Sequence, residues 1–236
     1  MVNYIVRRKQ TIEDIISGVA KKYKLYPLNY LDLYLVANDL VPATHLLIQN
    51  IDLRGSKSIG KLIMPNKEIL AVKRSVYRVI KNRLGLYCTV TGVNIFDNLN
   101  MGKRKTHADM LFSISKNADN QYRHIHAKDD YEMGLMSGYP LEAILKYGKK
   151  FGEKRWEWFS VYAPLHKKIS EDPYAHIEQA YLTWVPESAD PNTGEIGSAS
   201  KQKCIEYMNF VRAHNPELAA SVEKCFVNKY KGGFYL

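Results

Sequence analysis

Apolar and polar positions recur along this chain with two different periods, and the period sets the element. Ile12, Ile15, Ile16, Val19, Ala20 and Tyr23 fall at helical spacing, which predicts an amphipathic helix over 12–24. Thr11 reads as its N-cap, with Asp14 three residues on, so residues 1–10 are left as a short arm or edge strand. Pro27 breaks that helix. Residues 28–40 are apolar almost all round and read as a short buried helix, ended by Pro42. Thr44–Leu53 is a strand candidate, and the Gly/Ser-rich basic run 54–61 a loop. The clearest helix follows, 66–84: Asn66 caps it, Ile69, Val72, Val76, Val79 and Ile80 form one stripe, and Gly85 sits where a C′ glycine belongs. Residues 86–95 read as a strand rich in β-branched and aromatic side chains.

Residues 98–106 read as a second basic loop. His107–Ser115 and Gln121–Ala127 read as two strands joined by the turn-rich segment KNADN. Asp129 caps a helix over 130–137 that stops at Gly138, and Pro140 opens another over 141–151. Residues 154–163 are aromatic and fit helix or strand, 173–184 read as helix, and 186–200 as a long loop. Two helices close the chain, 200–213 and 216–230, the second with Asn215 as cap and Pro216 at its first position. These elements predict an α+β (or α/β) fold, a small mixed sheet flanked by helices with a helical C-terminal third. They fit one domain over 1–236, or an α/β core over 1–152 and a helical part over 153–236.

Composition changes the picture in one respect. The 236 residues are 46% hydrophobic and 25% charged, ordinary globular usage. No apolar run approaches membrane-spanning length, and the start MVNYIVRRKQ is no signal peptide, so no membrane partner and a cytoplasmic location are expected. Cys88, Cys204 and Cys225 are widely spaced and read as small hydrophobes in a reducing compartment. Lys and Arg number 34 against 24 Asp and Glu, a net charge of +10. Such an excess raises affinity for polyanions through counterion release.

Candidate chemistry follows from that charge. Arg54, Lys57 and Lys61, then Lys73, Arg74, Arg78 and Lys81 on helix 66–84, then Lys103, Arg104 and Lys105 are placed to meet backbone phosphates. Seventeen tyrosines add stacking surfaces for unpaired bases. The expected function is therefore nucleic-acid binding through phosphate contacts, with DNA or RNA and homo-oligomerisation left open. A rival reading is a metal-dependent hydrolase or nuclease using Asp109, His124, His126 and Asp130, with histidines two apart on a strand and Asp109 opposite His126. A third is a structural or assembly protein. No cofactor is expected; a divalent metal belongs only to the rival reading. The run RGSKSIGK lacks the spacing of a phosphate-binding loop, and no Ser or Thr follows Lys61.

The stretch from Asp129 to Ile144 carries Gly134, Gly138, Tyr139 and Pro140, and it resembles an uncharacterised archaeal family, domain of unknown function 483. In that family the Pro is followed by Glu and paired cysteines; here Leu141, Glu142 and Ala143 stand there, without thiols. A later Pro-Cys-Ser-Pro segment would correspond to Val185–Asp190, again without cysteine. The resemblance spans about residues 40–210. It implies an archaeal or archaeal mobile-element origin and transfers no catalytic residue.

Overall fold

A computed structural model describes residues 2–53, 67–100, 103–145, 165–182 and 196–231; for residues 2–12, 96–100 and 103–106 it describes the backbone alone. The chain divides by internal packing into two units, Met1–Ile125 and His126–Leu236. The fold is α+β. No helix among the described residues is long and apolar enough to cross a membrane.

The first unit begins with α1 (Val2–Tyr23) and α2 (Pro27–Ala37). Helix α1 runs unbroken through Thr11, so residues 2–10 are neither arm nor strand and Thr11 is no cap. Ile5, Ile12 and Val19 lie a heptad apart, which extends the helical period toward the N-terminus; a threonine inside a helix costs only a few tenths of a kcal/mol. Pro27 both interrupts α1 and opens α2 at a first-turn position, where its missing N–H leaves nothing unsatisfied. Leu31, Leu33, Tyr34, Leu35 and Val36 are buried, so α2 is the all-round apolar element its sequence predicts.

Strand β1 (Ala43–Asp52), helix α3 (Lys67–Ile80), strands β2 (Tyr87–Asn100) and β3 (Lys103–Ser115), and helix α4 (Ala118–Ile125) complete the unit. The three strands pair in the order β1-β3-β2, antiparallel throughout. Leu46 faces Phe112 and Ile48 faces Met110 across the first pair, and all four are fully buried. Successive strand residues point to opposite faces. The ring of Tyr77 on α3 meets Phe112 edge-on at 6.3 Å, while the imidazole of His124 on α4 meets Ser113 on the other face. The central strand is thus covered on both sides.

Two expectations fail here. Residues 121–127 are not a strand: α4 holds them through Ile125, with Asn117 Oδ1 accepting the Asn120 N–H at 2.7 Å as an N-cap. Asn and Asp serve turns and N-caps alike, so KNADN fits both until packing decides. Nor are residues 98–100 and 103–106 a loop. Asn98 pairs with Lys105, Leu99 with Arg104 and Asn100 with Lys103, so β2 and β3 form one long hairpin. β1 leaves β3 at the Asp52–His107 pair, and beyond it the hairpin continues as a two-stranded ribbon.

In the second unit, α5 (Asp130–Met136) starts at Asp129, whose side chain accepts the Glu132 N–H at 2.9 Å. Residues 141–145 (α6) and 165–171 (α7) are helical. Turns over 173–176 and a 3-10 helix (Ile177–Tyr181) replace the helix expected over 173–184, of which 183 and 184 lie outside the described residues. Helices α8 (Ser198–His214) and α9 (Pro216–Lys231) form a hairpin at Asn215, whose Oδ1 accepts the Leu218 N–H at 3.0 Å. Tyr181 Oη and Arg212 Nε both donate to Glu223 Oε1, at 2.9 and 2.8 Å, tying the 3-10 helix to both helices.

Candidate nucleic-acid interface

Charge is divided unequally between the units. Residues 1–125 carry 20 Lys and Arg against 9 Asp and Glu; residues 126–236 carry 14 against 15. The entire excess of the chain therefore sits in the first unit.

Within that unit α3 gathers part of it into a line. Val76 and Ile80 are buried, and Tyr77 fixes the helix by accepting the Val90 N–H at 3.3 Å beside the β2 bulge. With that face set inward, Lys67, Arg74, Arg78 and Lys81 are exposed. Their spacings of seven, four and three residues keep them on one side of the helix. Lys81 lies just past α3 but keeps the helical bond from its N–H to Tyr77 O, at 2.9 Å. The stripe is about 21 Å long at 1.5 Å per residue, the axial length of about six phosphates on one strand of duplex. None of the four cations has an ion-pair or hydrogen-bond partner among the described residues. Lys73 stands apart from this stripe, its Nζ 5.5 Å from the centre of the Tyr77 ring.

The ribbon adds Lys103, Arg104 and Lys105 as three successive positions of β3 beyond the end of β1. Arg54, Lys57 and Lys61 lie outside the described residues. Two cations escaped the sequence reading: Lys22 and Lys24, at the end of α1. Their only signal is the run KKYK, which reads equally well as basic residues placed against the negative end of a helix dipole.

The residues of the rival reading are placed as follows. Asp109 accepts the Asn50 N–H at 2.9 Å, where β1 bulges between Ile48 and Ile51. His124 is 1% exposed; its Nδ1 meets Ser113 Oγ at 2.5 Å, and its ring lies 4.3 Å from that of His45. Asp109 and Ser113 are four residues apart on one strand, about 13 Å, so the structure does not bring Asp109 and His124 together. His126 and Asp130 belong to the second unit. The strand register expected to set Asp109 opposite His126 does not form, because Ala118–Ile125 is a helix. Burial, with His45 beside it, pushes His124 down to about 4, so the imidazole is neutral near pH 7. Burial also lowers His45. Among the described residues no group of three or more His, Cys, Asp or Glu side chains is placed to hold a metal ion. Comparison with protein-family models, curated proteins and solved structures finds no match for this chain.

Proposed function

We propose that the protein binds nucleic acid through its first unit, engaging backbone phosphates with α3 and the β2–β3 ribbon. The observation that carries this reading is the unpaired, exposed line of Lys67, Arg74, Arg78 and Lys81 within a unit that holds all the excess positive charge. A cation already paired with a carboxylate gains little from a phosphate, whereas an unpaired one displaces counterions on binding. The ribbon supports the same reading, because a two-stranded antiparallel ribbon fits the major groove of B-form DNA. The likeness to domain of unknown function 483 adds no site residue to this proposal.

The test is a salt series on a labelled duplex and a labelled single strand. Log affinity falls linearly with log salt, with a slope of about −0.9 per phosphate contact on duplex DNA. The triple variant R74A/R78A/K81A is expected to bind more weakly and with a duplex slope shallower by about three. An unchanged slope removes the stripe from the interface. Absence of binding by the native protein at low salt overturns the function.

A further inference from the structure

We infer that the cleft between the end of α1 and the bulged end of β1 seats one nucleotide unit, a phosphate with its planar base. The ligand class rests on the polynucleotide reading above, but the cleft is defined by its own geometry. Its volume is about 500 Å³, and Lys22, Tyr23, Lys24, Tyr26, Asn50 and Asp52 contribute to its walls. That size is ordinary for a small-molecule site. Two ammonium groups outnumber the one carboxylate, which favours an anion. Tyr26 is 48% exposed and supplies an aromatic surface of the kind on which bases stack.

The cleft adjoins the α3 stripe. Val72 of α3 is part of its wall, and Lys22 Nζ donates to Ser75 Oγ at 2.5 Å, one residue from Arg74. A strand whose backbone follows α3 thereby reaches the cleft with its next or terminal nucleotide.

Lys24 gives the most specific sign. Helix α1 closes with the Leu25 N–H on Ala20 O at 2.9 Å and the Lys24 N–H on Lys21 O at 3.4 Å, the bonding of a Schellman cap. Lys24 therefore occupies C′ with φ +50°, where glycine is the usual and less strained residue. The chain keeps a lysine side chain in the cleft at a position where stability alone favours none. Its ammonium, with that of Lys22, would hold the phosphate while Tyr26 takes the base.

Calorimetric titration of the full chain with AMP, adenosine and inorganic phosphate tests this. AMP is expected to bind at least tenfold more tightly than either fragment. Lys24→Gly is expected to weaken AMP about tenfold while melting at the same or a higher temperature. Tyr26→Ala is expected to weaken AMP at least fivefold. The R74A/R78A/K81A variant is expected to keep AMP affinity while losing affinity for a long strand, which separates this cleft from the stripe. Phosphate binding as well as AMP overturns the role given to the base. No AMP binding, or equal binding by the native protein and both cleft variants, overturns the nucleotide seat whatever the salt series shows.

Discussion

His124 is the residue whose chemistry changed most between sequence and structure. As a strand histidine it reads as a ligand for solvent-borne metal. In the structure it is a pin between α4 and the sheet: Nδ1 meets Ser113 Oγ, and Gln121 Nε2 reaches Ser113 O at 3.0 Å beside it. Its Nε2 is buried without a hydrogen-bond partner. Burial holds its pKa near 4, against 6.5 for an ordinary histidine. The unfolded chain therefore takes up a proton near pH 6.5, and the folded chain does so only near 4. Stability is full above pH 6.5 and declines as pH falls toward 4, by about 3 kcal/mol at most; the lowered His45 acts in the same direction. Urea melts of the native protein and His124→Gln at pH 7 and pH 4.5 check this. The variant should lose less stability on acidification, and equal losses would show that His124 is not the group responsible.

At the scale of elements, the segment 134–144 shows how a motif acquires its physical reason. Helix α5 ends in a Schellman motif: the Tyr139 N–H reaches Gly134 O at 3.0 Å and the Gly138 N–H reaches Leu135 O at 3.2 Å. Gly138 takes φ +74° at C′, and Pro140 then stands just before α6. Gly134 serves a different purpose, because a Cβ there would lie 2.8 Å from Ile144 Cγ1. Gly138 thus ends α5 and Gly134 lets α5 approach Ile144 of α6 closely. Alanine at position 134 would gain about 1 kcal/mol of helix propensity and lose about 1–3 kcal/mol to overpacking. Gly134→Ala is expected to be destabilising by about 1 kcal/mol in denaturant melts, partly relieved by Ile144→Val. A stabilised single variant would show that Ile144 moves aside freely. Helix α3, with its periodic stripe, and helices α5 and α9, with caps at Asp129 and Asn215, were legible in the sequence because each local signal agrees with the packed state; the cap read at Asn66 lies outside the described residues. Helix α4 and the ribbon were not legible. Asn117 fits a turn as well as a cap, and the polar, basic residues of 98–106 carry no alternation of apolar and polar positions from which a strand could be read.

For the molecule as a whole, charge is divided unequally between the units, and the proposed function rests on the first of them. The first unit holds every positive charge in excess, and the second is nearly neutral. Nucleic acid bound as proposed should slow amide hydrogen exchange in α3 and in the β2–β3 hairpin. Exchange in α8 and α9, whose interior rests on Cys204, Tyr207, Val211, Leu218 and Val222, should stay unchanged. Equal protection of both units would indicate that the surface on α3 is not the principal contact.

The chain by itself determined most of its helical periods, the caps at Asp129 and Asn215, its three β-strands in outline beside a fourth that is a helix, and its net charge of +10, because each depends on neighbours in sequence. Tertiary structure alone decided which of two local readings 116–127 would adopt, that Lys22 and Lys24 line a cleft beside α3, and that Lys67, Arg74, Arg78 and Lys81 stand unpaired among the described residues. These outcomes depend on which face of each element is buried, and burial is set by partners distant in the chain.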